Sequence, residues 1–245
     1  MVFTGLMRTI GLLGGMSWES SALYYRLVNE AVRDRLGGFH SARVVLASVD
    51  FAEVESMQAR GDWGSAGSLL AHEARMLQAA GADCVVLCTN TMHRVAEAIE
   101  TAVDIPLLHL ADVTADAVRE AGVDRVALLG TRFTMEQPFY ADRLRAHGLD
   151  VLVPTAADRR LVHDVIYDEL VMGLVREESR AAYVDVVGRL VEHGARGVIL
   201  GCTEIELLLG PADVDVPVFA TTRLHALAAV DFALGDSGTT RLVER

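Results

Sequence analysis

Two cysteines stand where a sequence would place reactive thiols: Cys88 in "VVLCTNTMH" (Val85 to His93) and Cys202 in "GVILGCTEIE" (Gly197 to Glu206). Each closes an apolar run and is followed by threonine and a further polar residue, the pattern of a strand end opening into a helix. At a helix N-terminus the unpaired N–H groups and the positive end of the macrodipole favour a thiolate over its free pKa of ~8.5. Two such thiols facing one ligand can take a proton from one side of a carbon and return one to the other, which inverts a stereocentre. The plainer reading of either cysteine alone is a small buried hydrophobe. That reading is kept for Cys84, which lies mid-strand and has Gly197 in its equivalent place.

The elements that must hold these residues alternate along the chain. Short apolar runs, "TIGLLGG", "ARVVLASV", "CVVLCT", "PLLHL", "RVALLGT", "DVLVP", "GVILGCT" and "VPVFAT", are separated by amphipathic stretches of helical period. Nearly continuous apolar strands joined by helical crossovers predict an α/β fold with mainly parallel sheets covered on both faces. The chain also repeats itself. "RTIGLLGG" is echoed by "RVALLGT", "GADCVVLCTNT" by "GARGVILGCTE" and "DIPLLHL" by "DVPVFAT", in the same order and displaced by nearly half the length. Three collinear echoes predict two pseudo-symmetric domains with a seam near Ala111 to Thr114. Ligands of open parallel sheets gather beyond the carboxyl ends of the strands, so an active-site cleft between the two domains is expected.

Composition narrows the chemistry. The 245 residues are 51% hydrophobic, enough for a substantial core, and the net charge of −12 opposes binding to nucleic acid or an anionic membrane. A small-molecule partner is expected. No run reaches the ~18 apolar residues of a membrane span and the N-terminus lacks the features of a signal peptide, which predicts a cytoplasmic protein. Three cysteines without CxxC spacing suggest neither a disulfide framework nor a zinc ribbon, and no metal is expected. All 22 basic residues are arginine. Without lysine there is no PLP Schiff base, no imine-forming aldolase and no Walker A loop.

Other strand ends supply polar groups. Gly14-Gly15-Met16-Ser17 pairs with Gly130-Thr131-Arg132, where glycine lets backbone approach a ligand and Ser17 or Thr131 can donate to it. Helix capping is the competing reading for Ser17, Asn90 and the threonines. Glu204 is placed either to receive the proton of Cys202 or to bind an ammonium group. His93 reads as a packed or solvent-facing histidine rather than a proton shuttle.

"GLLGGMSWESSALYY", "SVDFAEVE", "CTNTMH", "LLGTRFTME" and "GCTEIELL" resemble the aspartate/glutamate racemase family, in particular its broad-specificity amino-acid racemases, from about Thr9 to about Asp231. The resemblance implies a cofactor-independent two-base racemase with Cys88 and Cys202 as the catalytic pair, Cys202 taking the proton of the L-enantiomer. It implies substrate contacts from Thr89, Asn90, Thr91, Thr203 and Glu204, to which the strand-end reading adds Met16, Ser17 and Thr131, and it implies a homodimer. It also implies a C-terminal helix returning to the first domain, which gives domains of residues 1–113 with 218–245 and 114–217. Aspartate racemases of the family often carry a Pro-Asp-Arg loop after the second strand, whereas this chain reads "SVDFAEVESMQARG". An acidic loop is a poor clamp for a second carboxylate, and Arg43, Arg60 and Arg132 are weak substitutes, so amino-acid racemase is the broader expectation. Hydantoin racemases, maleate isomerases and arylmalonate decarboxylases share the architecture, and a non-catalytic amino-acid-binding protein is the alternative from another class.

Overall fold

A computed structural model describes residues 6–235 of the chain. They form two compact units, one of residues 6–109 with 225–235, the other of residues 110–224. In the first, β1 (Ile10–Gly14), α1 (Trp18–Leu36), β2 (Val44–Ser48), α2 (Phe51–Arg60), α3 (Trp63–Ala79), β3 (Cys84–Leu87), a 3-10 turn (Thr91–Val95), α4 (Ala96–Glu100) and β4 (Leu107–Leu108) come in order. The strands make a parallel sheet in the order β2-β1-β3-β4.

The second unit repeats the plan. α5 (Leu110–Glu120) leads to β5 (Arg125–Gly130), α6 (Arg132–Glu136), α7 (Pro138–Ala146), β6 (Asp150–Leu152), α8 (Ala156–Asp168), α9 (Glu177–Glu192), β7 (Val198–Gly201), α10 (Ile205–Leu208) and β8 (Val218–Ala220). Its parallel sheet runs β6-β5-β7-β8, the same order strand for strand. All eight apolar runs read from the sequence are strands, and the fold class is α/β as expected. The seam lies a few residues from the expected one. α5 packs entire into the second core through Leu110, Ala111, Ala115 and Val118, and β8 pairs with β7, so residues 110–113 and 218–224 belong to the second unit. α11 (Thr221–Leu234) gives its first turn to the second unit and the rest to the first. Residues 236–245, expected in the first domain, lie outside the described residues.

Period two divides each central strand between two apolar layers. On β1 and β3, Ile10, Leu12, Cys84 and Val86 pack with Tyr24, Val28 and Val32 of α1 and Ala226, Ala229 and Val230 of α11, while Leu13, Val85 and Leu87 pack with Leu70, Ala74 and Leu77 of α3. On β5 and β7, Ala127, Leu129, Val198 and Leu200 meet α8 and α9, while Val126, Leu128 and Ile199 meet α5 and α7. Helices on both faces explain why these strands are apolar without alternation.

β1 ends in a turn that only glycine fits. Gly15 has φ +94, and a Cβ there would collide with the backbone of Val49, whose N–H donates to Gly14 O at 3.1 Å. Gly61, which ends α2, has φ +70 but open space around it. Gly15→Ala should therefore cost about 2–4 kcal/mol in urea unfolding, with Gly61→Ala nearer 1 kcal/mol from the left-handed backbone alone.

Candidate functional site

In the first unit the end of β3 is fixed by Cys88 N–H donating to Leu13 O at 2.9 Å. The Cys88 side chain then turns into the layer under α1 and α11, fully buried, with Sγ 3.5 Å from Val86 O. Burial without a charged partner drives its pKa far up. Cys84 lies in the same layer, and burial pushes it up to about 12. Thr89, Asn90 and Thr91 continue the chain as a buried polar run. Asn90 precedes the 3-10 turn without a side-chain capping bond. His93, on that turn, has Nδ1 2.7 Å from Thr89 O. Met16 packs into the layer under α3. Ser17 caps α1, accepting from Ser20 N at 3.3 Å, so its capping reading is realised.

In the second unit Cys202 also lies at a strand end, but beside a carboxylate: Sγ donates to Glu204 Oε2 at 2.9 Å. Desolvation first, then Glu204, raises its pKa well above the ordinary thiol value. Thr203 is buried. Thr131 caps α6, accepting from Thr134 N at 3.4 Å. Glu206, to which no local sequence pattern draws attention, accepts from Thr222 N at 2.9 Å, and Thr221 Oγ1 donates to Leu200 O at 2.8 Å, tying the chain on both sides of Cys202 to the start of α11.

Two expectations change. Thiolate stabilisation by a helix N-terminus does not prevail at either cysteine: at Cys202 a backbone bond at Glu204 lowers the pKa, but desolvation and the Glu204 carboxylate outweigh it. Cys88 leads into a 3-10 turn of 5 residues that runs on into α4, Cys202 leads into a helix of only 4, and burial dominates at both thiols. The cysteines also do not hold equivalent positions. Leu13 pairs with Leu87 and Leu129 with Leu200, so the repeated Leu-Leu-Gly of β1 and β5 equates Leu87 with Leu200. Cys88 then corresponds to Gly201, and Thr89 to Cys202. Layer membership agrees: Cys202 packs with Val198 and Leu200, whereas Cys88 packs with Cys84 and Val86, whose counterparts are Gly197 and Ile199. The shared Cys-Thr dipeptide conceals this one-residue offset; aligning the preceding valines and leucines reveals it.

The acidic "SVDFAEVE" stretch is largely helix. Asp50 caps α2 by accepting from Ala52 N at 3.1 Å, Val54 is buried, and Glu53 and Glu55 are exposed. Of the weak arginine candidates, Arg43 donates to Met7 O, Arg60 to Ser56, and Arg132 lies over the ring of Phe133.

Glu206 gives the region a pH signature. Burial raises its pKa from 4.5 to about 7, against the opposing bond from Thr222. The folded state therefore holds a proton that the unfolded chain has lost, and the associated stability is present at low pH and disappears as pH rises from about 4.5 to 7. Glu206→Gln keeps an acceptor for Thr222 N and removes the charge. Its stability relative to the parent should improve across that interval by up to about 3 kcal/mol, read from denaturant unfolding at a series of pH values.

The family model described as Asp/Glu/Hydantoin racemase matches residues 13–229. Among solved structures, a Yersinia pestis protein carrying a provisional Asp/Glu racemase designation is 52% identical, with a TM-score of 0.89 over 93% of this chain and 100% of that one. An aspartate racemase homologue from Pyrococcus horikoshii OT3 is 30% identical, with a TM-score of 0.83 over 93% of this chain and 99% of its own. The broad specificity amino-acid racemase RacX of Bacillus subtilis (strain 168) is 22% identical over 162 residues, 63% of this chain and 66% of that protein. With both four-stranded parallel sheets and nearly the whole chain matched, the protein belongs to the Asp/Glu/hydantoin racemase family.

Proposed function

We propose that this protein is a cofactor-independent racemase of free amino acids in which Cys202, assisted by Glu204, is the acid/base on one face of the α-carbon and Thr89 holds the opposing place. The observation that carries it is the Cys202–Glu204 pair: a buried thiol whose proton already points at a carboxylate 2.9 Å away. A buried thiol is a poor base until its proton is taken. Transfer to Glu204 leaves a thiolate without moving net charge out of the site, and the thiolate accepts the α-proton of the substrate. The electron pair left on carbon delocalises into the substrate carboxylate. Buried Thr203, Asn90 and Thr91 are the candidates to stabilise that charge. Inversion is complete when a proton arrives at the other face.

The register supports Thr89 rather than Cys88 for that second face, and burial of Cys88 in an apolar layer supports a packing role for its thiol. A hydroxyl is a far weaker acid than a thiol. It can give a proton to a carbanion, but it removes an α-proton slowly at neutral pH. The two faces are therefore kinetically unequal. An L-substrate deprotonated by Cys202 is more often reprotonated by Cys202 than inverted, so in D₂O it exchanges faster than it racemises. A D-substrate is deprotonated slowly on the Thr89 face and captured at once by Cys202, so label appears in the L-product and not in the D-pool. Equal forward and reverse kcat/KM are preserved, as racemisation requires.

Likeness to RacX and the acids of α2 support substrates beyond aspartate and glutamate, and the lack of lysine removes lysine-bound PLP from the mechanism. The test is enantiomer-resolved deuterium incorporation with acidic, neutral and polar amino acids and a hydantoin. Cys202→Ser should lower inversion by about 10²–10⁴-fold. Thr89→Val should abolish inversion while L-exchange continues, Thr89→Cys should bring D-exchange up, and Cys88→Ala should stay within several-fold of the parent. Loss of inversion in Cys88→Ala with Thr89→Val unaffected would return the role to Cys88. Exchange on the hydantoin alone would reassign the substrate.

A further inference from the structure

The first unit holds a buried group of histidines that the proposed reaction does not use. His93, His109 and His225 are all buried, with ring centroids 4.6 Å apart for His93 and His109 and 5.9 Å for His93 and His225. His225 is locked on both sides. Its Nε2 must donate to Leu108 O at 2.7 Å, because a carbonyl only accepts, so its Nδ1 accepts from the Tyr24 hydroxyl at 2.9 Å.

His93 faces the backbone of Thr89. In an α-helix the carbonyl of Thr89 would take the main-chain N–H of His93, four residues on. Here the 3-10 turn directs that N–H to Asn90 O at 3.2 Å, and the ring of the same residue comes back to Thr89 O, with Nδ1 at 2.7 Å. The carbonyl accepts, so Nδ1 carries the proton. The register-equivalent residue in the second unit is Glu206, an acceptor that bonds Thr222 N instead. The equivalent carbonyl, Cys202 O, takes the main-chain N–H of Ile205 at 3.2 Å, so the imidazole donor at Thr89 O stands where the second half uses backbone.

We propose that His93 is a positioning residue for Thr89: its Nδ1–H holds the Thr89 carbonyl and thereby fixes the direction from which the hydroxyl returns a proton. The proposal rests on the racemase reading above. A hydroxyl has one proton to give and rotates about a single bond, so its reach depends on where its own backbone is held. Misplacement by about 1 Å can cost up to 10²-fold in a positioned step. The buried rings of His109 and His225 pack edge-on against the imidazole, with interplanar angles of 66° and 62°.

His93→Leu keeps a bulky buried side chain and removes the donor, whereas His93→Asn puts an amide N–H where Nδ1 stood. With an L-amino acid in D₂O, His93→Leu should lower kcat for inversion by about 10-fold or more while KM and L-exchange stay within about threefold, and His93→Asn should recover most of the inversion. Inversion and exchange falling together, or an unchanged ratio of the two, overturns the positioning role. A parent protein that neither exchanges nor inverts any amino acid overturns the racemase reading and the role with it. Should His93→Leu not fold, ¹⁵N imidazole spectra of the parent decide: an Nδ1–H tautomer at His93 is expected, and an Nε2–H tautomer overturns the proposal.

Discussion

A strand's side chains alternate between faces, and in a sheet covered on both sides that alternation leaves no position neutral. On β3 and β7 each residue is committed to one helical layer or the other. A displacement of one residue in a motif therefore changes the medium a side chain meets, and not merely its place along the strand. Cys88 and Cys202 are separated by such a displacement. One thiol packs among α1 and α11 with a carbonyl for company, while the other meets a carboxylate. Similar letters in sequence become different chemical groups in space.

Burial then sets the kind of acid/base chemistry open to the thiol. Both cysteines are raised in pKa by desolvation, and the cause that distinguishes them is Glu204. The carboxylate raises the Cys202 pKa and accepts the hydrogen bond of its thiol, so under the proposed reaction a group that looks inhibitory by charge alone would supply the path to the reactive form. Glu206, close behind and itself raised to about 7 by burial, adds a second acid to the same segment.

Much of this was legible before any coordinates. Continuous apolar runs marked all eight strands because helices cover both faces, and the three echoes revealed the duplication because equivalent strands meet equivalent layers. Glu204 was legible as a polar neighbour of Cys202 from its spacing, and it accepts the hydrogen bond of that thiol. What was hidden depended on register: the Cys-Thr dipeptide occurs in both halves and invited pairing by identity, whereas the hydrogen-bonded partners of Leu87 and Leu200 align Thr89 with Cys202. The histidine group was hidden for another reason. His93, His109 and His225 come from three distant segments, and no local pattern announces that they meet.

α11 belongs to the second unit for its first turn and to the first thereafter, and this limits how the chain can be divided. A fragment ending at His109 contains all four strands of the first sheet yet lacks Ala226, Ala229, Val230 and Ala233, the side chains that help cover Ile10, Leu12 and Val86. Its sheet would be left with an oily face and a buried thiol newly open to oxidation. The duplicated halves are thus not interchangeable modules. A stretch synthesised after the second unit finishes the part that was made before it, so the early half must wait, incomplete, for the late one.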